Sequence, residues 1–182
     1  MTQLRFILPI LTLMAALSVS AQSPWERKLK YDLPLLGHRN WIVVADSAYP
    51  LQTAPGVETV LADADQLQAV KTVLSELAKT KHVKPRIYID HELEFVPEKD
   101  APGIDAYRSG LRQVLGEQMP QALPHEKIIS RLDEAGKTFR VLLIKTPLTL
   151  PYTSVFFELD CGYWNADAES RLREAIKAGE KK

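Results

Sequence analysis

A single cysteine, Cys161, in 182 residues leaves no intramolecular disulfide framework and no cysteine-rich zinc site. A surplus of either charge is also missing. Lys+Arg number 23 against 23 Asp+Glu, with a pI near 6.9, so the chain lacks the basic excess of a nucleic-acid binder. There is no Gly-x-Ser-x-Gly elbow, no Walker loop and no dinucleotide glycine pattern, so hydrolase, NTPase and dehydrogenase readings lack support. Repeats are absent as well. What remains is an ordinary globular composition, 46% hydrophobic and 25% charged, at a length that fits one domain.

The first residues read as a targeting segment. Arg5 supplies a positive start, Phe6 to Leu17 is apolar apart from Pro9 and Thr12, and Val19-Ser20-Ala21 offers the small side chains of a cleavage site. The apolar run is short for a membrane span, and no cysteine marks a lipid anchor. The expectation is a signal peptide over 1–21, cleaved after Ala21, leaving a mature domain over 22–182 that is periplasmic or secreted.

In the mature chain, strand and helix patterns alternate. Ser23-Pro24-Trp25-Glu26 opens like a capped helix, with Trp25, Leu29, Leu33 and Leu36 on one face and Gly37 as a stop. Trp41 to Ala45 has no polar alternation and predicts a strand buried on both sides, the signature of a parallel sheet. A short strand follows near Val57 to Leu61. Asp63-Ala64-Asp65-Gln66 then repeats the capping-box pattern ahead of a helix carrying Leu67, Val70, Val73, Leu74, Leu77 and Ala78 at helical spacing. Arg86 to Val96 predicts a strand, Ile104 to Leu115 a helix weakened by Gly110, and Pro124 the start of a short helix. Strands over Phe139 to Ile144 and Thr153 to Leu159 and a helix over Ala166 to Lys177 complete the chain. The expected fold is a single α/β domain, with a mostly parallel sheet and helices on both faces.

Ligands of open α/β sheets gather beyond the carboxyl ends of the strands, and Asp46 lies there, directly after Trp41 to Ala45. His38 precedes the same strand. Carboxylate and imidazole are the residue types of an acid/base pair; equally, Asp46 can serve only as a turn residue and His38 only as an exposed loop residue. Asp90-His91-Glu92 suggests a metal-dependent hydrolase at first sight. On a continuous strand, however, His91 points away from its two neighbours, so the three do not converge on one ion. His82 lies in a Lys-rich stretch that reads as a solvated loop.

Leu36-Gly37-His38, then Val43-Val44-Ala45-Asp46 and Pro50, resembles the opening of the D-ribose pyranase and L-fucose mutarotase family. Val60 to Leu77, Pro124-His125-Glu126 and Pro151-Tyr152-Thr153-Ser154 are similar to that family's later motifs, in the same order. The resemblance implies a cofactor-free isomerase acting on a free monosaccharide such as ribose or fucose. It also implies a homo-oligomer with pockets between subunits, and neither nucleic-acid nor membrane partners after signal cleavage. Carried over, it makes His38 the catalytic acid/base and Asp46, His125, Tyr152 and Ser154 substrate contacts, with no metal ligand. The chain departs from the family pattern at Pro147 and Leu148, where a Gly-Glu pair is usual, and at Ser154, where asparagine is usual. The alternative is therefore an exported carbohydrate-binding protein on the same fold that has lost turnover.

Overall fold

The structure, a computed structural model, describes residues 22–180; the expected signal segment over 1–21 lies outside the described residues. Five helices and six strands follow in chain order: α1 (Pro24–Asp32), β1 (Trp41–Ala45), β2 (Val57–Leu61), α2 (Gln66–Leu77), β3 (Val83–Asp90), α3 (Ile104–Leu115), β4 (Gln121–Leu123), α4 (His125–Thr138), β5 (Val141–Lys145), β6 (Val155–Cys161) and α5 (Ala166–Gly179). The six strands form one sheet in the order β2-β5-β1-β6-β3-β4. β2 with β5, β5 with β1, and β3 with β4 pair in parallel; β6 runs antiparallel to both of its neighbours, β1 and β3.

The direction of β6 follows from the length of its connection. Only residues 146–154 link β5 to β6, too few for the crossover that a parallel pairing demands. The chain therefore turns back at the carboxyl end of β5, passes over the end of β1 and enters β6 beside it. This lays segment 146–154 across the strand ends.

All five residues of β1 are buried, as its unbroken apolar run predicts. On one face of the sheet, α1, α2 and α3 cover Ile42, Val44, Leu142, Ile144 and Phe157. On the other, Ile128 and Leu132 of α4 pack on Trp41, Val43, Leu143 and Phe156. Gly110, a weak helix former, has a positive role here: a Cβ at this position would lie 2.4 Å from Leu67 Cδ1, so the glycine admits α2 against α3.

Three expected elements end differently. α1 stops at Asp32, two residues before Pro34, rather than at Gly37. β3 stops at Asp90, and His91–Phe95 forms a 3-10 turn rather than the end of a long strand. Pairing explains the stop: the β6 ladder ends at Ile89 and the three-residue β4 ladder at Asp90, so nothing beyond holds an extended backbone. The opposed-face geometry inferred for Asp90, His91 and Glu92 is thereby corrected. The helix opened at Pro124 is not short; it runs over the 14 residues of α4.

Candidate functional site

β1 and β3 both deliver a carboxylate at their carboxyl ends. Asp46 follows the last residue of β1, and its Oδ1 accepts from the Ala48 N–H at 2.9 Å, an Asx turn that fixes the side chain. Its Oδ2 accepts from Ser154 Oγ at 3.2 Å, tying it to the segment that crosses the strand ends. Asp90 closes β3 and is wholly buried, at 0% exposure. Its Oδ1 lies 3.1 Å from Nδ1 of His125, the first residue of α4. Its Oδ2 is buried with no hydrogen-bond partner.

The arrangement around His125 is local chemistry assembled from distant sequence. Pro124, at the N-cap, contributes no side-chain cap to α4. Glu92, on the 3-10 turn, reaches over instead and accepts from the His125 N–H at 3.0 and 3.1 Å. A carboxylate at a helix N-terminus is favoured both by the free N–H groups and by the helix dipole. Tyr152 completes the wall: its ring meets His125 edge-on, with centroids 5.6 Å apart. It holds a left-handed φ of 57°, a conformation that is strained for a large side chain.

Between these groups lies a cleft of about 280 Å³, lined by Asp46, Tyr49, Gln52, His125, Ile129 and Tyr152. This is small for a drug-sized ligand, and its walls are mostly apolar, with the polar groups of Asp46, Gln52 and His125 set among them. Burial pushes the Asp90 carboxyl up to about 6, against the opposing pull of His125, while the Glu92 and Asp46 charges add to the rise. Burial also raises the Tyr49 phenol, with Asp133, Asp90 and Asp46 contributing, so it stays a neutral hydroxyl. With Nδ1 occupied by Asp90, the His125 imidazole keeps Nε2 free of protein hydrogen bonds among the described residues. A histidine oriented by a buried carboxylate, with its other ring nitrogen facing a cleft, has the geometry of an acid/base group.

Of the five site residues expected from sequence, four are brought together here: Asp46, His125, Tyr152 and Ser154. His38 is not. It precedes β1 at the opposite end of the strand, and β1 alone puts on the order of 16 Å between it and Asp46. Its side chain is 62% exposed, with Nε2 3.9 Å from Asp160 Oδ1, and it lines a separate groove with Arg86 and Trp164. Within one chain, His38 and Asp46 are therefore not an acid/base pair. Asp90, weighed in the sequence only as a metal ligand beside His91 and Glu92, is the residue whose place in this site was missed. The available signal was its place at the end of an apolar strand run, the same signal that singled out Asp46. His82 is structural, its Nε2 lying 3.0 Å from the Leu36 carbonyl oxygen and 3.3 Å from that of Leu33. Among the described residues, no three His, Cys, Asp or Glu side chains are grouped to hold a metal ion.

The open sheet and the cleft beyond its strand ends define an α/β protein with a cavity where the ligands of such sheets gather. No family model matches the chain, and no curated protein matches it in sequence. Solved structures are similar to it. One is Bacillus subtilis RbsD complexed with D-ribose, with 20% identity over 80% of this chain and 96% of that one, at a TM-score of 0.48. Another is the fucose mutarotase of Streptococcus pneumoniae in complex with L-fucose, with 18% identity over 75% of this chain and 91% of that one, at 0.49. A third is FucU from Bifidobacterium longum, with 15% identity over 75% of this chain and 96% of that one, at 0.49. These belong to the group whose motifs the sequence resembles.

Proposed function

We propose that this protein binds a free monosaccharide in the cleft between Asp46, His125 and Tyr152 and exchanges its ring forms by acid/base chemistry. The observation that carries this reading is the buried Asp90 bonded to His125 Nδ1 at the cleft. Opening a cyclic sugar removes the proton of the anomeric hydroxyl, breaks the bond from the anomeric carbon to the ring oxygen, and places a proton on that oxygen. Closure reverses each step. His125 Nε2 takes the anomeric proton, and Asp90 holds Nδ1–H and balances the charge of the imidazolium. Asp46, fixed by Ala48 and Ser154, receives sugar hydroxyls, and Tyr152 offers an aromatic edge and a hydroxyl. The second proton group is His38 of another copy of the chain, in a homo-oligomer that sets the His38 end of one subunit against the cleft of the next. The reaction proceeds slowly in water unaided, so the roughly 10²–10⁴-fold of general acid/base catalysis meets the demand.

The test is NMR saturation transfer between the anomeric signals of ribose, fucose and a panel of other sugars. The wild type is expected to speed exchange, with His125→Ala and His38→Ala each suppressing it and a chelator leaving it unchanged. Equal exchange with the wild type and His125→Ala removes His125 from the mechanism. One observation favours a second reading, a binding protein without turnover: the cleft of the single chain holds one histidine, His125, and lacks His38, the acid/base that the resemblance implies. That reading expects sugar to raise thermal stability while exchange stays at the solvent rate. Export of the mature chain is proposed with either reading, and N-terminal sequencing of the natural protein, beginning at Gln22, tests it.

A further inference from the structure

We propose that Gln66, remote in sequence from every cleft residue, is the positioning residue that holds Tyr152 and Ser154 in place; as a statement about function this rests on the sugar-site reading above. Gln66 is the first residue of α2 and only 2% exposed. Its amide reaches three segments at once. Oε1 accepts from Thr146 Oγ1, where the chain leaves β5. Nε2 donates to the Val44 carbonyl in β1 at 3.0 Å and to the Thr153 carbonyl at 2.9 Å, between Tyr152 and Ser154. One side chain thus clamps both ends of segment 146–154 and ties them to the strand that carries Asp46.

The chemistry of the clamp selects its residue type. Both Nε2 partners are carbonyls, which only accept, so the orientation of the amide is fixed by its surroundings. A carboxylate at the same place has acceptors alone and gives up the bonds to both carbonyls; a hydrocarbon gives up those and the bond from the Thr146 hydroxyl too. The other anchors each hold one point of the segment: the Tyr107 hydroxyl on the Thr153 carbonyl at 2.6 Å, the Thr146 N–H and hydroxyl on the Ala45 carbonyl at 2.8 and 3.2 Å, the Ser47 N–H on the Leu148 carbonyl at 2.8 Å, and Ser154 Oγ on Asp46 Oδ2 at 3.2 Å. Between the clamped ends the chain makes the left-handed turn at Tyr152. Such a backbone conformation persists only where its surroundings over-determine it, and the clamp at the next carbonyl supplies that constraint.

Gln66→Met keeps length and burial and removes the hydrogen bonds. Thr146→Val removes the Oε1 donor, along with the longer contacts of that hydroxyl with the Ala45 carbonyl and the Leu148 N–H, keeps both Nε2 bonds of Gln66, and serves as the milder second variant. The first readout needs no sugar: hydrogen exchange of the backbone amides within 147–152, those of Leu148, Thr149, Leu150 and Tyr152, since Pro147 and Pro151 have none. About tenfold faster exchange is expected there in Gln66→Met and a smaller increase in Thr146→Val, with β1 and α4 amides unchanged. Unaltered exchange over 147–152 in both variants overturns the proposal. The second readout is a cycle on sugar affinity with Tyr152→Ala. Gln66→Met is expected to weaken binding about tenfold in the wild type and far less once Tyr152 is gone, because it acts through that residue. Equal losses in both backgrounds mean that Gln66 does not act through Tyr152 and overturn the proposal. If the wild type binds no sugar while the 147–152 amides still loosen in Gln66→Met, the clamp stands and the sugar-site reading falls.

Discussion

Asp90 sets stability against the proposed proton chemistry at a single residue. Its carboxyl titrates near 6 in the folded protein, against an ordinary value of 3.8. Between those two values the native state binds a proton that the unfolded chain does not. The resulting stabilisation is complete below about pH 4 and lost as the pH rises through 6. At neutral pH the ionised carboxyl therefore costs native stability, on the order of 2–3 kcal/mol. Asp90→Asn is expected to equal or fall below the wild type at pH 4, to exceed it at pH 8, and to lose ring exchange because a neutral amide cannot balance an imidazolium. Urea denaturation at the two pH values checks the stability half; a variant no more stable at pH 8 than at pH 4, relative to wild type, contradicts it. Tyr152 presents the same opposition in backbone terms. Tyr152→Gly removes the strain of the left-handed φ, worth roughly 1–3 kcal/mol, partly offset by about 0.5–1 kcal/mol of glycine chain entropy. It also removes the ring against His125, so a stability at or above wild type together with at least tenfold weaker sugar binding is expected by thermal melts and titration.

At the scale of elements, legibility divided along local and non-local lines. β1 and α2 were readable because a five-residue apolar run and a capped 3.6-residue period are properties of contiguous sequence. The end of β3 was not, because it is decided by where β4 and β6 cease to pair, and β4 itself is a three-residue strand too short to show a period. The same division governs the site: Asp46 was legible from the strand before it, whereas the pairing of Asp90 with His125 spans 35 positions and Glu92 caps α4 across 33. That cap makes Glu92 the residue through which the 3-10 turn supports the cleft. Glu92→Ala is expected to cost about 1 kcal/mol, the ordinary worth of a helix N-cap, and to loosen His125 along with its helix. Chemical denaturation and hydrogen exchange of the first turn of α4 measure the two effects together. α5 is the opposite case. None of its residues is buried, with Leu172 and Ile176 each about two-fifths exposed, so removal of residues 166–182 is expected to shift stability of the single chain by no more than about 0.5 kcal/mol.

At the scale of the whole molecule, the position of His38 is the fact a mutarotase reading has to accommodate. The sheet separates two polar ends. One has the cleft with Asp46, Asp90 and His125; the other has His38 beside Asp160 and Arg86, lining a groove of about 680 Å³. No rotation of a side chain spans β1, so if both histidines move protons on one sugar they belong to different copies. An interface joining unlike ends of identical subunits is heterologous, and it closes into a ring when the rotation between neighbours divides a full turn. This arrangement makes a prediction that no monomeric enzyme meets. His38→Ala and His125→Ala, each inactive alone, are unfolded together, refolded as an equimolar mixture and assayed for anomeric exchange. Interfaces pairing the intact His125 of one chain with the intact His38 of the other regain a complete site, and random assembly makes about a quarter of the sites complete. Recovery near that fraction, from an assembly that sedimentation shows to be larger than one chain, supports the shared site. A mixture as inactive as its components, from the same assembly, confines the chemistry to the Asp90–His125 pair of a single subunit.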